Sequence, residues 1–491
     1  MNRSAFGRGS AAAAVLLAVL LLSVVVSAQA APGKLDPTFG KGGKVTTTVG
    51  ARSGASAVAL QSNGKIVAVG WWASRATPRT LHGLLARYAS TGASDRHFGK
   101  GGLVKTADWV HALTFQADGK IVAIADANAI VRRNRDGTLD SSFGTNGSVQ
   151  APFGSASGLA LQTDGKILVV GTHENGSALA RYDPDGSLDS SFGAGGVAKA
   201  PKDTFLSKVA VQPDGKILAA GGLAEVAGPH MAVVRYESDG TLDTSFGTHG
   251  IAKTYTGSDF GGSNAIALQP DGKIVQLGNG WCQQDCGGTS CLGSPALARY
   301  NGNGSPDTTF SGDGVVYAYE GLHFCEGDDL AIQADGKIVV AGNIFGDTLS
   351  DVSARIVRFN ADGTVDQHFS KSGDVTRKGF AVGGWGAVVV QADGKIVVGG
   401  SGQMKRKPRL TLLRLLSGEE HCNVPSVKGR RLRNAKRVIR RAYCSVGHVR
   451  RVFSSWHWKG RVISQKPKPG AQRRVGAKVR LVVGEGPRRA R

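Results

Sequence analysis

The chain lacks the short signatures of several enzyme classes. There is no HExxH, no Walker-type phosphate loop and no nucleophile elbow, which removes the motif-based case for a zincin, a P-loop nucleotide enzyme or an α/β-hydrolase. Cysteine is scarce, with six residues in 491, and no paired CxxC exists, so a zinc ribbon is not indicated. Past the first thirty residues no apolar run is long enough for a membrane span. No helical period survives more than a few residues over 31–418, which excludes a helical bundle there. Carboxylates nearly vanish at the end: residues 405–491 hold 26 Lys/Arg against 3 Asp/Glu, whereas residues 1–404 hold 34 of each.

What is present begins with an export signal. Arg3 and Arg8 precede the apolar run 11–26, and "SAQA" offers small residues for cleavage after Ala30. An uncleaved anchor is the alternative. Export places the six cysteines in an oxidising compartment. It also turns the basic end away from nucleic acid and toward anionic polymers outside the cell.

Residues 31–418 repeat. "SNGKIVAVG", "ADGKIVAIA", "TDGKILVVG", "PDGKILAAG", "PDGKIVQLG", "ADGKIVVAG" and "ADGKIVVGG" are seven copies, 46 to 64 residues apart. In each copy an Asp-Gly or Asn-Gly turn joins two apolar strands, a hairpin signal. A third strand such as "LLARY" follows, and a fourth comes after an "FG" element. Four-stranded antiparallel units repeated seven times suit a seven-bladed β-propeller, a mainly β fold with only short open edges. The first strand, after "LDPTFGKGG", has the phase of an outer strand missing from the last unit. Pairing the two closes the ring and removes an edge; an open solenoid is the alternative.

"LDPTFG", "QPDGKI" and "ARYDPDGSLDSSFG" resemble delta-60 repeats, which are bacterial and thought to form β-propellers. The family has no established chemistry, so the resemblance implies the fold and no activity.

Within "DPDGSLDSSFG" the spacing of Asp183, Asp185 and Asp189 suggests calcium. Only the last Asp occurs in every repeat, as Asp36, Asp95, Asp140, Asp189, Asp243, Asp307 and Asp366. The stretch therefore reads as a turn rather than a metal loop. An Arg also recurs: Arg87, Arg132, Arg181, Arg235, Arg299, Arg358 and Arg414. Each is expected to pair with the Asp that follows it, Arg414 reaching Asp36 across the closure.

Strand order puts the variable loops at one mouth of the ring. Trp71, Trp72, Trp109, Trp281, Trp385, His82, His111 and His323 fall there; they are candidates for glycan or peptide contact, or for plugging the opening. Cys282, Cys286, Cys291 and Cys325 share that face and are expected to form two disulfides, zinc being the alternative. Asp108, Asp259, Glu320, Glu326, Asp328 and Asp329 could include a glycosidase pair, but the spacing singles out no two, and solvated loops are expected.

After residue 418 the pattern changes. Leu432, Ala435, Val438, Ile439 and Ala442 give one helical face, and three short strand patterns follow. "VPSVKG", "VISQKPKPG" and "VRLVVGEG" are similar to a PASTA domain, a small α+β fold. That resemblance implies contact with peptidoglycan fragments; no kinase or transpeptidase is attached. Cys422 and Cys444 are expected to pair. Expected wall contacts are Arg430, Arg431, Arg433, Lys436, Arg437, Arg440 and Arg441 around the helix, and Lys466, Lys468, Arg473 and Arg474 beyond it.

The resulting organisation is a signal peptide over 1–30, a propeller over 31–418, a basic PASTA-like domain over 419–486 and a basic tail over 487–491. The expected role is a secreted, non-enzymatic, cell-wall-associated bacterial protein that needs no cofactor or metal. It would bind peptidoglycan or another anionic wall polymer, and not nucleic acid. A secreted glycan-active enzyme and a purely structural propeller are the alternatives.

Overall fold

Each "DGK" stretch, and the "NGK" of the first copy, closes a three-residue hairpin loop. The Gly64 amide donates to the Gln61 carbonyl at 2.9 Å, and the Gln61 amide to the Lys65 carbonyl at 2.9 Å. Gly64 has φ +85°, so a type I turn ends in a left-handed residue. The computed structural model describes residues 32–126, 128–174, 176–225, 228–257, 262–279, 295–317, 326–345, 352–370, 372–383, 387–404, 407–418, 421–442, 444–474 and 477–487.

After β1 (Lys44–Thr47) the first sheet has the order β2 (Arg52–Leu60), β3 (Ile66–Ala73), β4 (His82–Tyr88), β5 (Leu103–Thr106), all antiparallel. Five further four-stranded sheets repeat this order. The seventh sheet is completed by β1, which pairs Lys44 with Leu413 and Thr47 with Leu410. The first strand of the repeat region is thus hydrogen-bonded to its last, as the repeat phase requires. The first strands of successive sheets touch one another in a cycle that returns from Val388–Val390 to β2. The architecture is a closed β-propeller.

The middle strands explain the unbroken apolar runs in the sequence. Ile66, Val67, Ala68 and Val69 are all fully buried, because sheets stack against both faces. Each apolar cluster bridges neighbouring sheets. Leu168, Val170 and Leu179 meet Ile217, Ala219 and Val234; Ile66, Ala68 and Leu84 meet Val397, Leu410 and Leu412 across the closure.

Six inner strands carry a bulge at the same level, which skips Ser56, His111, Ser157, Ser207, Asn264 and Asp328. An extra residue re-aims the chain locally, so one polar side chain per sheet is set apart from the ladder.

The C-terminal unit has its own core of Val424, Val427, Ala435, Ile439, Cys444, Val462, Val479, Leu481 and Val483. Helix α1 (Leu432–Arg441) lays Ala435 and Ile439 onto a three-stranded sheet. In that sheet Lys478–Gly484 is central, parallel to Ser445–Val452 and antiparallel to Val462–Lys466. His421–Asn423 pairs separately with Gln472–Arg474.

Candidate functional site

On the short-turn side of the ring every repeated Asp holds two cations. The seven Arg–Asp pairs lie at 2.6–2.9 Å, Arg414–Asp36 included. Lys65, Lys120, Lys166, Lys216, Lys273 and Lys337 approach the same carboxylates at 2.8 Å or less, and Lys395 lies 3.5 Å from Asp36. The lysine of each "DGK" turn is therefore the third member of a Lys–Asp–Arg cluster.

Each guanidinium also lies 4.4–4.7 Å from the centroid of the "FG" phenylalanine. It donates as well to a backbone carbonyl of the next sheet, from Arg87 to Arg135 and finally from Arg414 to Ser90. One side chain thereby ties strand, turn, ring and neighbouring sheet. Burial alone would raise these carboxylates. For Asp95, hydrogen bonds from Lys65 and Arg87 outweigh burial and hold the pKa at about 2; Asp307 is likewise held at about 2 by Lys273 and Thr309.

"DPDGSLDSSFG" is accounted for by this cluster. Lys166 sits between Asp183 and Asp189, while Asp185 accepts from the Ser187 amide at 2.9 Å and from its hydroxyl at 2.6 Å. Gly186 has φ +95°, and a Cβ there would lie 2.9 Å from the Phe143 ring of the previous repeat. Asp183 and Asp189 share the Lys166 ammonium while Asp185 is taken up by Ser187, and the glycine is required by backbone and packing together.

At the opposite mouth the aromatic residues form two local groups. Trp72 stacks on His82 at 5.0 Å, with Lys105 Nζ 4.1 Å above it, and Arg52 lies 6.0 Å from the Trp71 centroid. Trp109 packs 4.8 Å from His111 and donates to Ser56 Oγ at 2.8 Å; His111 Nε2 lies 2.6 Å from Asp126 Oδ1. All four of Trp71, Trp72, Trp109 and His111 are half-buried, so part of each ring is committed to packing. Trp281, His323, Trp385, Asp259, Glu320, Cys282, Cys286, Cys291 and Cys325 lie outside the described residues, as do residues 1–31. Among the described residues no group of His, Cys, Asp or Glu is placed to hold a metal.

Asp328 and Asp329 correct an expectation. They are not in a solvated loop but on the inner strand Glu326–Ile332, both at least nine-tenths buried. Asp328 accepts from Asn343 Nδ2 at 2.7 Å and Asp329 from the Val388 amide at 2.8 Å. Asp329 and Lys208 both line a cavity of about 220 Å³ among the inner strands. Burial pushes Asp329 up to about 6, against the pull of the Val388 amide and Lys208. Burial also lowers Lys208, opposed by Asp329 and Asp328.

In the C-terminal unit Arg430, Arg431, Arg433, Arg437, Lys466, Lys468 and Arg473 are exposed, and Lys436 is half-buried. The side chains of Arg440, Arg441, Arg474 and Cys422 lie outside the description. Cys444 is buried in the core just beyond the helix. Across residues 421–491 the single carboxylate side chain is Glu485.

Comparison with family models matches a domain of unknown function described as a β-propeller (DUF5122) at residues 116–143, 162–192, 212–246, 269–310, 333–369 and 391–417, and a PASTA domain at 423–485. The chain is a DUF5122 β-propeller with a C-terminal PASTA domain.

No curated protein matches it. Among solved structures the chain is similar to the WD40 β-propeller domain of Doa1, at 14% identity over 76% of this chain and 97% of that one, TM-score 0.44. It is also similar to a protein of unknown function from Bacteroides caccae, at 12% identity over 63% and 98%, TM-score 0.37. Sqt1 from Chaetomium thermophilum matches at 11% identity over 73% and 82%, TM-score 0.41. These likenesses carry no functional argument.

The PASTA domain also holds cations that motif reading passed over. Arg450 and Arg451 on one strand and Lys478 and Arg480 on its neighbour are exposed. For Lys478 and Arg480, alternation with buried Val479 and Leu481 was the available signal.

Proposed function

We propose that this protein is an exported, non-enzymatic component of the cell envelope. The propeller is its scaffold, and the PASTA domain attaches it by charge to peptidoglycan or another anionic wall polymer. The observation that carries this reading is charge segregation: a nearly neutral propeller, with 37 Lys/Arg and 34 Asp/Glu over 31–418, is joined to a domain rich in exposed cations, where Glu485 is the single carboxylate side chain across 421–491. Bacterial walls are dense in carboxylates and phosphates, so many weak contacts sum while each remains sensitive to salt.

The non-enzymatic part of the reading is supported by where the carboxylates go. The repeated aspartates are neutralised in Lys–Asp–Arg clusters, and Asp328 and Asp329 are held by Asn343 and Val388. Export fits the six cysteines, which pair in this reading, Cys422 with Cys444 stapling the PASTA core. A further contact, a glycan or peptide at the variable mouth, is favoured by the half-buried Trp71 and Trp109 beside Arg52 and His111.

A pulldown on isolated cell walls tests attachment. The PASTA domain, which has its own core, should sediment with walls at low salt and be released at high salt, while the propeller alone stays in solution. A PASTA domain that stays in the supernatant at low salt, or a propeller that binds equally well, contradicts the assignment.

A further inference from the structure

The connection between strands Ser445–Val452 and Val462–Lys466 carries the two most exposed large apolar side chains of the described residues, Trp456 at 69% and Phe453 at 57%. They are three residues apart, within about 11 Å even in extended chain. A single exposed Leu needs no explanation, but an indole and a phenyl held out together do.

The segment is pinned. The Ser454 amide donates to Gly486 O at 3.0 Å, the Gly460 amide to Gly484 O at 2.9 Å and the Arg461 amide to Trp458 O at 2.9 Å. Trp456–Trp458 forms one 3₁₀ turn between these anchors. Lys459 Nζ caps one face of the Trp456 ring, 4.5 Å from its centroid. The indole is thus presented at a set position, which lowers the ordering cost of any ligand it meets.

The surroundings select the ligand. Arg450, Arg451 and Lys459 are exposed nearby in the chain; Glu485, the one carboxylate side chain across residues 421–491, is also at hand, its amide donating to Val452 O at 2.9 Å, and the three cations outnumber it. The occupant must combine negative charge with a small flat apolar face. An anionic polysaccharide does so: the C–H face of a sugar ring lies on the indole, its hydroxyls stay in water, and its acidic groups meet the cations.

Resting on the wall-attachment reading above, we propose that Trp456, with Phe453 three residues before it in the chain, is a stacking platform for a sugar ring of the wall glycan. The PASTA domain then senses the sugar backbone as well as its charge.

The test uses the full chain, wild type and the variants Trp456→Ala and Trp456→Phe, each checked for an unchanged unfolding midpoint. Probes are a neutral N-acetylglucosamine tetramer, isolated cell walls at low and high salt, and vesicles of phosphatidylglycerol. The wild type should bind the neutral tetramer, and W456A should lose roughly tenfold or more of that affinity while W456F keeps most of it, because stacking needs an aromatic face. W456A should also lose the wall binding that survives high salt and keep the low-salt binding. If wild type and W456A bind the tetramer equally or not at all while both hold walls at low salt, the platform is wrong and charge attachment stands. Tetramer binding with no low-salt wall binding would instead sink charge attachment and leave the platform. A W456A loss confined to the vesicles would make this a membrane contact and overturn the proposal.

Discussion

At the scale of the residue, the repeated unit is organised by one buried carboxylate with two cations. Removing the guanidinium strands that carboxylate and cuts the tie to the next sheet. Arg132→Leu should therefore destabilise the propeller by about 3 kcal/mol, seen as a lower denaturant midpoint; an unchanged midpoint would mean the cluster is ornamental. The acid side follows from the same pairs. Asp95 and Asp307 have folded pKa values near 2, below the ordinary carboxylate value of 3.8. Their contribution is complete above about pH 4 and is lost as pH falls through about 2, so thermal scans should show stability dropping across that window. Gly186→Ala should cost about 1–3 kcal/mol, since it strains φ +95° and presses on Phe143. The Arg–Asp pairs were legible because in six of the seven both residues recur at an offset of eight, as from Arg132 to Asp140, and the repeat phase gives the seventh, Arg414 with Asp36. The lysine was not: it lies on a separate hairpin, and only the folded sheet carries it to the carboxylate.

At the scale of the element, strands and their phase could be read directly. Turn glycines punctuate them, and burial on both faces leaves apolar runs such as "KILVV". The inner-strand bulges could not be read, because the skipped residue differs each time: Ser56, His111, Ser157, Ser207, Asn264, Asp328. That is also why Asp328 and Asp329 passed for loop acids, although "CEGDDLAIQ" places them on an inner strand that register alone assigns. Closure rests on β1. A chain starting at residue 48 loses the partner of Lys407–Leu415 and opens an edge strand. It should unfold at a lower temperature and associate in a concentration-dependent way on size-exclusion chromatography. A stable monomer of unchanged midpoint would show that the last sheet holds without its outer strand.

At the scale of the whole molecule, charge is divided by domain. The propeller neutralises most of its own charges in buried clusters, and most of the excess of basic over acidic residues sits on a small domain with a separate core. Composition showed that division, since it is a matter of counting along the chain. Which cations face water, and the aromatic pair at Phe453 and Trp456, needed the fold. The most direct test of the central claim is wall binding by the full chain with Arg430, Arg431, Arg433 and Arg437 changed to Gln, four exposed positions outside the domain core. Attachment by charge predicts that the wild type sediments with walls at low salt, that salt releases it, and that the variant, equally stable, binds at least tenfold more weakly with a shallower salt dependence. Equal binding by wild type and variant at every salt concentration would contradict it.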